Sequence, residues 1–193
     1  MGKGKNVSKS YKDKVEPHLK AAGYSPHAVQ ALIDLDIENF NFMRRIMKGE
    51  VPQALLEELD AGLEASQFHA LSAILRIRGG FGRPAPQEPT VGLLADELFL
   101  DPSRASRIAA DLVDRGLVTR AASQEDGRKS ILVPTEKAET LMAAFLEAKW
   151  KRTIRLFADW SEEDIQTFSR LFARYSEGMR QQYPARNTTS VVD

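Results

Sequence analysis

The segment Thr90 to Thr135, TVGLLADELFLDPSRASRIAADLVDRGLVTRAASQEDGRKSILVPT, constrains the fold more than any other stretch of the 193-residue chain. Thr90 can cap a helix whose apolar side is Val91, Leu94, Ala95 and Leu98. A turn at Phe99-Leu100 follows, then Asp101 in the N-cap position and Pro102 in the first turn of a second helix. Gly116, just past Arg115, ends that helix. On a wheel of about 100° per residue, Ala105, Ile108, Ala109, Leu112 and Val113 fall on one side and face a core. Ser103, Arg104, Ser106, Arg107, Ala110, Asp111 and Asp114 fall on the other.

Two helices joined by so short a turn make a helix-turn-helix. The exposed face concentrates two arginines and two hydroxyls in its first turns, the end that recognition helices present to the DNA major groove. Arginine can bond both O6 and N7 of guanine, and serine suits phosphates or either base edge. Ala110 leaves room for close approach, while Asp111 and Asp114 lie where the helix would leave the groove. By itself such a face is only solvated surface. The apolar runs Leu117–Arg120 and Ile131–Val133 add a β-hairpin around the polar loop Ser123–Ser130, with Gly127 at its tip and Arg128 and Lys129 beside it. A basic hairpin next to such a helix is a wing, able to reach a narrow, strongly negative minor groove.

LADELFLDPSRASRIAADLVDRGLVTR followed by SQEDGRKSILVPTEKA resembles the winged helix-turn-helix of the MarR family. The family's wing pattern is matched by Asp126-Gly127-Arg128, Ile131-Leu132-Val133 and Thr135-Glu136-Lys137-Ala138. Upstream, Leu63-Glu64-Ala65-Ser66-Gln67-Phe68 is similar to the family's Leu-Thr-x-x-Gln-Phe helix start. The resemblance runs from about residue 26 to 180 and implies a mainly α fold with a small β-hairpin. It implies that Arg128 is the wing-tip arginine and that Asp126 holds the wing in shape. It also implies a homodimer built by terminal helices, a palindromic double-stranded DNA site, and a repressor released by a small, often aromatic or acidic, effector. Three positions depart from the pattern: Glu64 replaces a capping Thr, Phe99 stands where a turn glycine is easier, and Pro134 precedes Thr135.

Outside this segment the pattern is helical. Ser25-Pro26 opens an amphipathic stretch with Val29, Leu32, Ile33, Ile37, Phe40, Met43 and Ile46, stopped at Gly49. A second stretch starts near Pro52, and a third runs from about Glu64 to Arg78 with Phe68, Leu71, Ile74 and Leu75 inside. GGFGRPAPQEPT (79–90) is a loop. From Thr135 two long helices bury Leu141, Met142, Phe145, Leu146, Ile154 and Phe157, then carry a stripe of Ile165, Phe168, Leu171, Phe172, Tyr175 and Met179. These helices exceed what a winged domain needs to cover, which favours dimerisation over one larger helical monomer. The domains expected are a disordered basic arm (1–24), N-terminal dimerisation helices (25–62), the winged helix-turn-helix (63–134), C-terminal dimerisation helices (135–183) and a flexible tail (184–193). The arm is either plain solvated chain or a reach toward phosphates through Lys3, Lys5, Lys9, Lys12 and Lys14.

Composition narrows the functions. A formal net charge of zero means that any DNA-binding surface is local. With no cysteine there is no disulfide, thiolate metal site or thiol redox sensing, which fits a reducing cytoplasm. No run of about 18 apolar residues could span a membrane. His18, His27 and His69 have no metal-ligand spacing, and no nucleophile motif or glycine-rich phosphate loop is present, so neither enzyme nor cofactor is expected. The competing reading is a winged helix used only for protein–protein contact, which has no need of Arg104, Arg107 and Arg128 together. Met43, Arg44, Phe68 and Trp150 are candidate walls of an effector pocket, although core packing explains the apolar ones better.

Overall fold

The computed structural model describes residues 9–184. Lys3, Lys5 and the tail from residue 185 lie outside the described residues, as does the side chain of Lys9. Among the described residues are eight helices and one two-stranded antiparallel sheet. They run α1 (Lys9–Ala21), α2 (Pro26–Met47), α3 (Glu50–Glu58), α4 (Ala65–Gly79), α5 (Val91–Leu98), α6 (Pro102–Asp114), β1 (Val118–Ala122), β2 (Ser130–Pro134), α7 (Glu136–Leu156) and α8 (Glu162–Gln182). The chain divides into two compact units, Met1–Phe145 and Leu146–Asp193, so α7 starts in the first and ends in the second.

In the first unit, α4 is the centre. It packs against α3, α5, α6 and β2. Its residues Phe68, Ala70, Leu71, Ala73, Ile74 and Ile77 are buried with Leu55, Leu56, Leu94, Leu112, Val118 and Leu132. Leu75, expected inside, is only half-buried, and the alanines take its place. The Phe68 ring lies 4.1 Å from that of Phe145 on α7. Phe68 is therefore core and drops out as a pocket wall, whereas Met43 and Trp150 are exposed.

The N-terminal segment corrects the expectation of disorder, since Lys9–Ala21 is a helix laid on α2. Its polar composition hides local and tertiary support. Glu16 and Lys20 form an ion pair of 2.6 Å one turn apart, the Tyr11 hydroxyl donates to Asp36, and Lys12 donates to Gln30 at 2.9 Å. Val15 and Leu19 line the half-buried side. Along α2, Val29 and Ile33 are buried, but Phe40, Met43 and Ile46 are exposed.

The second unit has a different character. Ser161 caps α8 by accepting from the Asp164 amide at 3.0 Å, and Glu162, Glu163 and Asp164 favour the positive end of the helix. Phe157, Trp160, Phe168 and Phe172 form an aromatic chain with centroid separations of 4.9, 5.4 and 5.8 Å. No described residue of α8 is buried, and its whole apolar stripe from Ile165 to Met179 is exposed. Leu146 and Ile154, expected inside, are exposed as well.

Candidate nucleic-acid interface

The two capping residues of the helix-turn-helix behave as their chemistry dictates. Thr90 Oγ1 accepts from the Leu93 amide at 3.1 Å, opening α5, and an Asp101 carboxylate oxygen accepts from the Arg104 amide at 2.9 Å, opening α6. Pro102 occupies the first turn, where a missing N–H costs nothing. The Ser103 hydroxyl also donates to Asp101, and these bonds hold that carboxyl below its usual range. At the far end Arg115 is the C-cap and Gly116 adopts φ +69°, which glycine tolerates without strain.

Between the helices stands Phe99. Its backbone is left-handed at φ +53°, and its side chain is 96% exposed. A residue with a Cβ pays about 1–2 kcal/mol for that conformation. The next residue, Leu100, is half-buried.

Ala105, Ala109 and Leu112 bury one side of α6, and Ile108 and Val113 are half-buried at its margins. Ser103, Arg104, Ser106, Arg107, Ala110 and Asp114 are exposed on the other. Among the described residues, neither the Arg104 nor the Arg107 guanidinium has a protein partner. Asp111 departs from the expected solvated face. It accepts from Gln67 on α4 and from Arg115 at 3.2 Å, and Arg115 in turn donates to the Gly62 carbonyl at 2.7 Å. These bonds pin α6 to α4 and to the loop before it. Gln67 also accepts from the Glu64 amide at 2.9 Å, so α4 opens without the threonine that Glu64 replaces.

The wing pairs Val118 with Pro134 through Ala122 with Ser130, each strand one or two residues longer than the apolar runs. Pro134 is at the end of its strand, and the ladder continues past it as the Thr135 amide donates to Leu117 at 3.0 Å. The Thr135 hydroxyl then caps α7, accepting from Ala138 at 3.3 Å. At the tip, Asp126 accepts from the Arg128 amide at 3.1 Å and lies 3.8 Å from the Lys129 ammonium, with Gly127 completing the turn. Arg128 is exposed and has no side-chain partner among the described residues. The wing's base is tied by a residue that the sequence did not single out. Glu88 accepts from the Ser123 hydroxyl and from the Gln124 amide at 2.8 Å, bonds that lower its pKa. Ser123, buried, also accepts from the amides of Glu125 and Asp126 at 3.1 and 3.0 Å. A carboxylate preceding α5 and a hydroxyl just past β1 have no sequence signature.

The loop carrying Glu88 is itself fastened. Arg76 lies 3.1 Å from Glu97 on α5, Arg83 bonds the same carboxylate, and Gly80 at φ +71° passes so close to Pro86 that a side chain there would collide. Leu132 donates to the Pro89 carbonyl at 2.7 Å, joining loop and wing. No group of His, Asp or Glu among the described residues could hold a metal ion, and no helix is long and apolar enough to cross a membrane.

Comparison with known proteins agrees with this geometry. Residues 61–129 match the family model described as MarR family. The chain is 28% identical over 121 residues to the HTH-type transcriptional regulator YxaD of Bacillus subtilis, covering 63% of this chain and 78% of that one. Its fold is similar to that of a MarR family protein from Bacillus stearothermophilus, with a TM-score of 0.58 at 20% identity over 76% of this chain and 96% of the other. It is also similar to S. aureus MepR bound to ethidium bromide, with a TM-score of 0.52 at 17% identity over 72% and 96%. The capped helix pair, the wing and the match to the MarR family model over residues 61–129 coincide, and this part of the chain is similar to the winged helix-turn-helix of that family.

Proposed function

We propose that this chain, a DNA-binding transcriptional regulator of the MarR family and not an enzyme, works as a homodimer. It reads an inverted repeat in double-stranded DNA and represses transcription until a small effector releases it. The observation that carries the reading is the outward face of α6, where Arg104 and Arg107 have no protein partner among the described residues and are exposed beside Ser103 and Ser106. Both arginines are free to bond guanine edges and phosphates. Arg128 and Lys129 on the wing supply backbone or minor-groove contacts, and Asp126 and Gly127 set the shape of that tip.

Dimerisation is supported by the apolar faces left uncovered on α2 and α8, too extensive for a soluble monomer. A two-fold pair of recognition helices spaces its half-sites by roughly 10 bp or a multiple. Release requires an effector that binds one spacing of the two helices better than the other. The ethidium-bound MepR structure supports an aromatic ligand class for that effector.

The test is selection of bound fragments from genomic DNA at near-physiological salt, with wild type beside the Arg104→Ala/Arg107→Ala variant. Wild type should enrich an inverted repeat, and the variant should lose it while remaining dimeric. Arg128→Ala should lower affinity and reduce the salt dependence by about one phosphate equivalent. Equal recovery by wild type and the double variant would remove α6 as the reader and leave a protein-contact module.

A further inference from the structure

Phe99 is the residue whose placement the fold does not explain. A phenylalanine in the left-handed region is strained, and burial could offset that strain, but this ring is 96% exposed. The hydrogen bonds that close the turn are backbone bonds, and the Phe99 amide itself donates to the Asp96 carbonyl at 3.3 Å. The Leu100 amide donates to the Ala95 carbonyl at 2.9 Å, and the Leu100 side chain is half-buried. Glycine would make the same turn with no strain.

Its position supplies the missing reason. Phe99 lies two residues before the N-cap Asp101, at the end of α6 that carries Ser103 and Arg104. That end enters the major groove first, so the turn leading into it comes to the groove edge beside the bases. An exposed aromatic side chain two residues before that N-cap lies close in the chain to the basic face of α6 and offers what that face lacks, an apolar surface. In the major groove the apolar group on offer is the C5-methyl of thymine, which aliphatic and aromatic side chains recognise.

We propose that Phe99 is a specificity-determining residue of the DNA site, packing on a thymine methyl next to the base pair met by Arg104. The inference rests on the reading of α6 as the recognition helix. In each half-site the ring favours thymine at one position, and the strain at φ +53° is offset only in the complex.

The experiment uses the operator found by the selection described above, with each thymine replaced singly by uracil. Uracil keeps every base-pairing atom and lacks only the methyl. Wild type should bind about fivefold more weakly when one particular thymine per half-site is replaced, the effect of one buried methyl. Phe99→Gly and Phe99→Asn, both compatible with the left-handed backbone, should bind the natural operator about fivefold more weakly and ignore that replacement. Phe99→Gly should also raise Tm by roughly 2–4 °C as the strain is removed. Unchanged affinity of both variants, or a uracil penalty that persists in them, would overturn the proposal. So would a lower Tm of Phe99→Gly, which would mean that the fold itself uses the ring. Failure of wild type to enrich any operator removes the reading of α6 first and Phe99 with it. Loss of the repeat by Arg104→Ala/Arg107→Ala with an indifferent Phe99→Gly leaves that reading intact and rejects only Phe99.

Discussion

The winged region and α8 are both amphipathic helical sequence, yet one closes its core and the other leaves its apolar stripe open. Around α4, residues such as Leu71, Ile74, Leu94, Leu112 and Leu132 are fully buried, and the helix ends are capped by side chains within the same unit. On α8 the caps are equally good, but Ile165, Phe168, Leu171, Phe172, Tyr175 and Met179 all remain exposed. Capping and propensity are local, so they make either helix. Burial needs a second surface, and the winged region supplies its own whereas α8 finds none among the described residues.

The strongest test of that contrast is on the open side. Phe168→Asp/Phe172→Asp should yield a folded monomer by sedimentation, with winged-domain NMR shifts retained. Operator affinity should fall on the order of 1,000-fold, toward non-specific binding. A dimer that survives both charges would place the contact elsewhere. On the closed side, Leu112→Ala should destabilise the winged region by about 2–5 kcal/mol in urea unfolding, through loss of transfer energy and a cavity. A cost near zero would mean that this core is as loose as α8.

A smaller effect is expected at the seam that aims α6. Arg115→Ala removes bonds to Asp111 and to the Gly62 carbonyl at an exposed site, so stability should fall by only about 1 kcal/mol. Operator binding should suffer more than that loss explains, because the helix is aimed less well; an unaffected affinity would reduce Arg115 to a surface residue. The smallest effect is at the wing base and depends on pH. Glu88 has its pKa lowered by Ser123 and Gln124, so its contribution is complete above the unfolded value of about 4.3 and is lost as pH falls through the lower folded value. Amide exchange in Ser123–Lys129 should rise over that acid window in wild type. In Glu88→Gln it should already be elevated near neutrality and change little with acid; identical profiles would remove Glu88 as the tie.

How much could be read without coordinates follows from the range of each interaction. The caps at Thr90 and Asp101, the stop at Gly116 and the buried side of α6 span a few residues each, and all were legible. The strand pair was legible from two β-branched runs around a polar loop. Asp111 and Glu88 were not, because Gln67–Asp111 and Glu88–Ser123 join residues 44 and 35 positions apart. Lys9–Ala21 was missed for a related reason, since a polar composition suggests solvated chain until Tyr11 meets Asp36 on the next helix.

The sequence by itself determined the winged helix-turn-helix, the exposed face of α6 and the absence of thiol chemistry, because periodicity, capping and composition act within a turn or two of chain. Only the tertiary structure decided which charged residues are already spent on one another and which stand free. It showed Asp111 and Arg115 joined while Arg104 and Arg107 have no protein partner among the described residues, and Phe99 strained and bare where a glycine would rest. It also decided which apolar faces find a neighbour within the chain. Those outcomes depend on what lies across space from a side chain, and a one-dimensional pattern records only what lies beside it.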